Sequence, residues 1–198
     1  MTLAAVLLAG GESRRMGCDK AILVRNGVPL WENQITLLRH LSPTELFVSA
    51  RNIPAWLPAD ARFVADLLPA RGPLGGIASA LAAMSATHLM ALPIDMPLMT
   101  GAHLASLWQS ASKGRGVLPC FDGGPEPLPA IYPAAASAVA TGMLAGPDVS
   151  LQAFARTLID QGRLKKQTLP SRDANLYVNC NSSADWQCYA VHSQSTHD

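Results

Sequence analysis

The sequence predicts an α/β protein with a mostly parallel central sheet that helices cover on both faces. Two observations carry this prediction. The chain opens with a continuous apolar run, Leu3–Leu8, which is typical of a strand buried on both of its faces. Similar runs then alternate with segments whose apolar residues recur at helical spacing, an order that indicates parallel strands joined by helices. In such sheets, ligands bind at the carboxyl ends of the strands.

The first half of the chain supplies most of this alternation. Pro29 precedes an apolar stripe at helical spacing, and Thr100 is suited to cap a later helix. Between them, residues 66–76 read as a second glycine-rich turn, with Gly75-Gly76 as part of the turn. The predicted strands of this half are Leu3–Leu8, a short one over 21–24, Glu45–Ala50, Arg62–Ala65 and 88–94, and the predicted helices follow Pro29 and cover 77–86 and about 101–112.

The second half is less regular. Two apolar runs flank Asp122-Gly123-Gly124-Pro125, which predicts a hairpin or a paired, antiparallel excursion. Either Asp148 or Ser150 is expected to cap the helix that begins at about residue 151. The elements predicted here are strands over 117–121, 128–132, 166–169 and 176–179, and helices over 133–145, 151–159 and 182–189. No composition shift marks a second domain, so we expect one domain over 1–192 and a disordered tail over 193–198.

Composition narrows the class of protein. The formal net charge of the 198 residues is +1, so we expect no nucleic-acid partner and no membrane partner. The four cysteines form no Cys-x-x-Cys pair and have no histidine at zinc-finger spacing, which predicts free thiols and a cytoplasmic protein. The opening apolar run lacks preceding basic residues and is too short to span a bilayer, so it is expected to be a strand.

The loop after the first strand has the composition of an anion site. Gly10 and Gly11 are followed by Arg14, Arg15 and Lys20, all within the next ten residues. Glycines let the backbone expose several N–H groups, and the cations can neutralise the charges of a nucleoside triphosphate. The spacing is not that of a P-loop, since no Gly-Lys-Ser/Thr closes it. The alternative is a tight turn with solvated arginines, and for Arg14 this alternative is preferred.

Asp95 is the second candidate for chemistry. It follows the apolar run of residues 88–94, and a carboxylate at the end of a buried strand is costly unless it has a partner or a function. Because parallel strands end at one edge of the sheet, Asp95 and the Gly10 loop are expected to belong to one site. The alternative is that Asp95 caps the helix that follows residues 96–98.

These residues carry a family resemblance. The stretch LAGGESRRMGCDKA over 8–21 resembles the signature of the molybdenum cofactor guanylyltransferases, within the Rossmann-like nucleotidyltransferases. The resemblance extends to GPLGG over 72–76, PIDMP over 93–97, EPLPAIYP over 126–133 and VNCN over 178–181. It implies a three-layer, Rossmann-like nucleotidyltransferase fold. It also implies transfer of GMP from GTP to the terminal phosphate of molybdopterin, with release of pyrophosphate.

The resemblance assigns roles at the reacting phosphates. Asp95 is expected to be the main protein ligand of Mg²⁺, an ion that prefers one or two carboxylates together with waters and phosphate oxygens. Arg15 and Lys20 are expected to neutralise the phosphates, and together with Asp95 they form the predicted catalytic set. Asp19 is expected to hold Lys20 or Arg15 in place.

The remaining roles concern the base and the acceptor. Asp66 is expected to accept hydrogen bonds from guanine, the alternative being a strand-end cap, and either Arg51 or Asn52 occupies a position that is often asparagine in the family. Asn179 and Asn181 are expected to face the acceptor phosphate or the metal, with helix capping as an equal alternative for Asn181. The backbone that is expected to meet the base and ribose is that of Leu8, Ala9, Gly10 and Gly11.

The expected partners are GTP, molybdopterin or Mo-molybdopterin, and acceptor molybdoenzymes or their chaperones. Residues 1–112 are expected to form the nucleotide-binding half and residues 113–192 the acceptor-binding half. Two alternatives stay open. One is a related transferase that uses CTP or acts on a sugar phosphate or alcohol phosphate. The other is a non-catalytic binding protein, although such a protein would be expected to lack Asp95, Lys20 or Arg15.

Overall fold

A computed structural model describes residues 1–10, 19–66 and 72–180. Its main sheet has the strand order β5-β4-β1-β6-β9-β7-β10, and β8 pairs with β7. A separate two-stranded ribbon consists of β2 and β3. The strands of the described residues are β1 (Leu3–Leu8), β2 (Val24–Arg25), β3 (Val28–Pro29), β4 (Glu45–Ala50), β5 (Arg62–Ala65), β6 (His88–Pro93), β7 (Gly116–Phe121), β8 (Gly124–Pro125), β9 (Ala130–Pro133) and β10 (Leu164–Thr168).

The sheet is mostly parallel, as predicted. β1 pairs in parallel with β4 and β6, β4 with β5, and β10 with β7. β9 runs antiparallel to both β6 and β7, and it is reached through the short β7–β8 hairpin. The predicted antiparallel excursion and the predicted fold class are therefore confirmed. The carboxyl ends of the six parallel strands meet at one edge.

In the described part of the chain, five α-helices cover the two faces: α1 (Leu30–Arg39), α2 (Pro73–Ala83), α3 (Gly101–Ser110), α4 (Ala136–Leu144) and α5 (Leu151–Asp160). β1 is fully buried, and its side chains alternate between two apolar clusters. Ala4, Val6 and Leu8 belong to the cluster with α2, α4 and α5, and Leu3, Ala5 and Leu7 to the cluster with α1 and α3. Burial on both faces explains why the strand reads as an unbroken apolar run.

One prediction is wrong for a packing reason. Helix α2 begins at Pro73, so Gly75 and Gly76 lie in its first turn instead of in a glycine-rich loop. A Cβ atom on Gly76 would lie 2.5 Å from Ser49 Oγ and 3.0 Å from Leu8 Cδ2. The glycine therefore lets the helix approach β1 and β4 closely, which a turn-forming interpretation of Gly-Gly does not foresee.

Several shorter elements also differ from expectation. The short strand expected over 21–24 begins only at Val24, as β2, because Lys20–Ile22 is a 3₁₀ helix. The strand expected over 176–179 is wrong as well, since Ser171–Tyr177 is a second 3₁₀ helix. β10 begins at Leu164 and α4 at Ala136, each a few residues from the expected start. The helix predicted over 182–189 and the tail over 193–198 lie outside the described residues. Within the described ranges, no helix is both long and apolar enough to cross a membrane.

Candidate active site

A cavity of about 1100 Å³ opens at the carboxyl edge of the sheet. It runs from the ends of β5 and β4, past β1 and β6, to the segment before β9 and the start of α5. Its described lining residues are Leu8, Ala9, Gly10, Asp19, Lys20, Ser49, Asp66, Gly72, Pro73, Gly76, Pro93, Ile94, Asp95, Met96, Glu126, Pro127, Leu128, Pro147, Asp148, Val149, Ser150, Leu151, Gln152 and Asn179.

Backbone hydrogen bonds fix the chain where the strands end. The Ala9 N–H donates to the Ser49 carbonyl at 2.8 Å, and the Asp66 N–H donates to the Ala50 carbonyl at 3.1 Å. The Ile94 N–H donates to the Leu8 carbonyl at 3.1 Å. These bonds continue the sheet ladder by one residue beyond the strands, so the residues that follow project from a rigid edge.

Gly10 and Asp66 are neighbours at the β1–β5 end of the cavity. A Cβ atom on Gly10 would lie 3.3 Å from Asp66 Oδ2, tighter than an ordinary van der Waals contact. The Asp66 carboxylate therefore lies against the Gly10 backbone, where the absence of a side chain makes room for it. This leaves the Gly10 backbone open on the cavity side, with an acceptor group beside it.

Lys20 and Asp95 form an ion pair across the cavity. Lys20 Nζ lies 3.5 Å from Asp95 Oδ2, and the two side chains are 16% and 24% exposed. Asp19 caps the 3₁₀ helix that carries Lys20, since its Oδ1 accepts a hydrogen bond from the Ala21 N–H at 2.9 Å. The structure thus gives Asp19 a direct part in fixing the start of the Lys20 segment.

The C-terminal segment reaches the same place. The Cys180 N–H donates to the Asp95 carbonyl at 2.8 Å, which draws Asn179 to the cavity wall. Just before it, Tyr177 Oη and His103 Nε2 lie 2.8 Å apart in a buried hydrogen bond to α3. Segments about 80 residues apart in sequence are therefore joined at the Asp95 backbone.

Two helices begin at the cavity. The N-cap of α2 is Gly72, which has a φ of 71° and offers no side-chain cap. The N-cap of α5 is Ser150, whose Oγ accepts from the Ala153 N–H at 3.2 Å, while Asp148 Oδ1 accepts from the Ser150 N–H at 2.9 Å. Ser150 is therefore the cap, and Asp148 supports it. The hydrogen bonds from Ser150 lower the pKa of the Asp148 carboxyl. Both helix starts direct their positive dipole ends towards the cavity.

Sequence reasoning missed the far wall of the cavity, which Glu126, Pro127, Leu128 and the start of α5 form. Partial desolvation raises the pKa of the Glu126 carboxyl. Tyr132 supports this wall from the core, since it is fully buried and its hydroxyl donates to the Pro127 carbonyl at 2.6 Å. The EPLPAIYP stretch contains these residues, so its part in the family resemblance was the signal that could have found them.

Seven of the predicted site residues meet at the cavity. Leu8, Ala9, Gly10, Lys20, Asp66, Asp95 and Asn179 all line this one cavity. Gly11, Arg15 and Asn181 lie outside the described residues. Arg51 and Asn52 are exposed in the loop after β4 and are not among the lining residues, whereas Ser49 is. Thr100 caps α3, as predicted, by accepting from the His103 N–H at 3.2 Å.

Comparison with known proteins agrees with this geometry. Residues 5–163 match the model of the MobA-like NTP transferase domain. A probable molybdenum cofactor guanylyltransferase from Opitutus terrae is 34% identical over 92% of both chains. A molybdenum cofactor guanylyltransferase from Xanthomonas euvesicatoria is 36% identical over 91% of this chain and 90% of its own.

Solved structures share the fold. A nucleotidyl transferase from Methanothermobacter thermautotrophicus superposes with a TM-score of 0.77 at 18% identity, covering 99% of each chain. The molybdopterin-guanine dinucleotide biosynthesis protein A of Archaeoglobus fulgidus gives a TM-score of 0.70 at 23% identity over 98% of this chain and 100% of its own. A Mycobacterium tuberculosis protein solved in complex with manganese gives 0.66 at 15% identity over 96% and 99%.

The sequence matches extend over both halves of the sheet, and the structural matches cover nearly the whole chain. The predicted family, fold class and enzyme class are confirmed by them. The chain belongs to the MobA-like NTP transferase family, together with the two relatives named as a probable and an assigned molybdenum cofactor guanylyltransferase.

Proposed function

We propose that the protein transfers GMP from GTP to the terminal phosphate of molybdopterin and thereby forms molybdopterin guanine dinucleotide. A phosphate oxygen of the acceptor attacks the α-phosphorus of GTP, a new P–O bond forms, and the bond to the β-phosphate breaks to release pyrophosphate. The observation that carries the proposal is the cavity in which seven predicted residues meet, with Lys20 Nζ 3.5 Å from Asp95 Oδ2.

The transfer reaction requires mainly that the protein position the reacting phosphates and stabilise the negative charge that develops on them. In-line attack places negative charge on the nonbridging oxygens and on the departing pyrophosphate. Lys20 is held at the cavity by the Asp19-capped 3₁₀ helix and can follow that charge as a mobile cation. Arg15 stays a prediction for the same task. The start of α2, which has no side-chain cap, adds N–H donors and a helix dipole at the cavity, and the Ser150-capped start of α5 adds a second dipole.

The residues fit a divalent cation. Asp95 is partly exposed and directs a carboxylate towards the cavity, and no cluster of three or more His, Cys, Asp or Glu metal ligands occurs in the described part of the chain. This donor set suits Mg²⁺, which binds through one or two carboxylates with waters and substrate phosphates. We propose Asp95 as the protein ligand of Mg²⁺, and when bound the ion would neutralise phosphate charge.

Asp66 is proposed to select the base. A carboxylate accepts hydrogen bonds from both N1–H and the 2-amino group of guanine, and cytosine lacks this pair of donors. Its position beside the Gly10 backbone supports this role, because a side chain on residue 10 would crowd the carboxylate. Leu8, Ala9, Gly10 and Gly11 are proposed to meet the base and ribose through their backbone.

The acceptor is proposed to enter from the β9 and α5 side. Asn179 supports this assignment, since the Cys180–Asp95 hydrogen bond holds it next to the metal ligand. Asn181 stays a prediction beside it. The division into a nucleotide half over 1–112 and an acceptor half over 113–192 agrees with the cavity, whose two ends come from these two parts. Acceptor molybdoenzymes or their chaperones as partners, and a cytoplasmic location, also stay predictions.

Nucleotide-dependent melting tests the guanine assignment. A ligand that binds only the native state raises Tm, and at equal concentration the tighter ligand raises it more, so GTP with Mg²⁺ should raise Tm more than CTP or ATP. Asp66→Asn is the informative variant, because an amide cannot accept both guanine hydrogens, and it should reduce the GTP shift towards that of CTP. Equal shifts for all three nucleotides would contradict guanine selection and favour the broader alternative of a cytidylyl or sugar-phosphate transferase.

A further inference from the structure

Gln34 is a polar side chain inside an apolar layer. It lies on the inner side of α1, is 0% exposed, and its neighbours on that helix, Leu30, Ile35 and Leu38, belong to the buried cluster between α1 and the sheet. Glutamine is rarely fully buried unless its amide has hydrogen-bond partners. The side chain therefore calls for an explanation.

Its amide holds the segment that follows the proposed metal ligand. Gln34 Nε2 donates to the Met96 carbonyl at 2.7 Å. From the β2–β3 ribbon, Arg25 Nη1 donates to the next carbonyl, that of Pro97, also at 2.7 Å. Two side chains from different elements thus hold consecutive carbonyls directly after Asp95.

Both donors leave a polar atom unused. Gln34 Oε1 and Arg25 Nε are buried and have no hydrogen-bond partner in the described ranges. A buried polar atom without a partner destabilises the fold, and an apolar side chain would fill the position of Gln34 without that cost. The position therefore carries a penalty that only the hydrogen bond to Met96 offsets, which indicates a use for that bond beyond filling space.

The Met96 side chain is buried in the cluster with α1 and α3, but the main chain of the segment is held by bonds from outside the sheet ladder. β6 ends at Pro93, and the Met96–Pro97 peptides lie outside the sheet ladder. The Asp95 carbonyl is held by the Cys180 N–H, and the Met96 carbonyl also accepts from Met99 N at 3.2 Å. Asp95 therefore sits between a rigid strand end and a loop whose course depends on donors from outside the sheet.

We propose that Gln34 and Arg25 are positioning residues for Asp95. By fixing the Met96 and Pro97 carbonyls, they set the direction in which the Asp95 carboxylate meets the cation. This inference rests on the proposed role of Asp95 as the Mg²⁺ ligand. Groups that orient a metal ligand commonly affect metal affinity by about 10- to 100-fold.

The test measures metal-coupled GTP binding without turnover. Calorimetric titration gives the Kd for GTP in EDTA and in excess Mg²⁺. The ratio of the Kd in EDTA to the Kd in Mg²⁺ reports how strongly the cation, held by Asp95, promotes GTP binding. Gln34→Met keeps the length of the side chain and removes the donor, and Arg25→Met removes the donor at the second carbonyl with a shorter, uncharged side chain. We expect each variant to lower the ratio by about 10-fold, towards that of Asp95→Asn, with the Kd in EDTA unchanged.

Two controls separate positioning from general damage. Gln109→Met makes the same change at an exposed position of α3 and should leave the ratio unchanged. Leu158→Ala destabilises the other apolar cluster at the far end of α5 and should lower Tm without lowering the ratio. A Gln34→Met protein with a lower Tm but a wild-type ratio would overturn the positioning role alone. A wild-type protein that binds GTP equally with and without Mg²⁺, or not at all, would overturn the proposed metal site and this inference with it.

Discussion

Replacement of Gly76 by alanine should destabilise the protein although alanine is the better helix former. Gly76 lies in the first turn of α2, and a Cβ atom there would be 2.5 Å from Ser49 Oγ, 3.1 Å from Ser49 Cβ and 3.0 Å from Leu8 Cδ2. Ser49 and Leu8 are buried and belong to β4 and β1, so neither can yield as a flexible surface side chain would. Overpacking of this kind costs about 1–3 kcal/mol.

The helix itself provides the opposing effect and a matched control. Gly to Ala in a helix interior gains about 1 kcal/mol. Gly142, in α4, has nothing within 4 Å of its Cβ position, so Gly142→Ala should show that gain alone. The helix contribution is similar in both variants, and the difference between them therefore isolates the overpacking cost of about 1–3 kcal/mol. At about 2–4 °C per kcal/mol for a chain of this size, Gly76→Ala should melt several degrees below Gly142→Ala.

Denaturant unfolding with a double-mutant cycle measures this directly. Ser49→Ala removes the atom nearest to the new methyl group, so in the Gly76→Ala background it should recover part of the loss, with a coupling of at least about 0.5 kcal/mol. Because Ser49 and Gly76 also line the cavity, Gly76→Ala should weaken GTP binding. If Gly76→Ala were as stable as Gly142→Ala, or if Ser49→Ala gave no coupling, the close approach of α2 to the sheet would be refuted.

Three further predictions follow from single contacts. Asp95→Asn should reduce GMP transfer at least about 100-fold, and an active variant would place the metal ligand elsewhere. The free energy of unfolding should change by no more than about 1 kcal/mol, because the ion pair of Asp95 with Lys20 is partly exposed. Tyr132→Phe leaves the buried Pro127 carbonyl without its donor and should lower the free energy of unfolding, measured in urea, by about 1–3 kcal/mol. An unchanged urea midpoint would contradict this hydrogen bond. Burial lowers the pKa of both His88 and His103, so the unfolded chain takes up protons first and stability should fall as pH drops below about 6.5. A shallower fall in the free energy of unfolding between pH 7 and pH 5 for the double variant His88→Gln, His103→Gln than for the wild type would bear this out, and equal slopes would refute it.

The sequence was informative where one physical rule dominates. β1 could be predicted because burial on both faces leaves an unbroken apolar run, and the ends of that run are the ends of the strand. The meeting of Lys20 and Asp95, 75 residues apart, followed from the rule that parallel strands end at a common edge. Those two inferences are enough to place most of the cavity wall at the ends of β1 and β6.

The parts that could not be predicted depend on contacts between distant segments. Gly75-Gly76 resembles a turn until the close packing of α2 on Ser49 is known. Residues 176–179 have strand-like composition, but the first two belong to the 3₁₀ helix Ser171–Tyr177, which the buried Tyr177–His103 hydrogen bond anchors. The start of α5 becomes a cavity wall only because the helix packs on the sheet beside α4, and no local pattern encodes that. Gln34 is likewise an ordinary helix residue until its amide is seen at the Met96 carbonyl.

The central claim is that this cavity transfers GMP to molybdopterin, and single-turnover transfer from α-labelled GTP tests it most directly. Incubation with molybdopterin and Mg²⁺ should move the label into a dinucleotide and release pyrophosphate in equal amount. Label from α-labelled CTP should be transferred far more slowly, and the Asp95→Asn variant should transfer label from neither nucleotide within the same time. Equal transfer from CTP would contradict guanine selection, and GTP binding without any pyrophosphate release would contradict catalysis and favour a cofactor-binding protein.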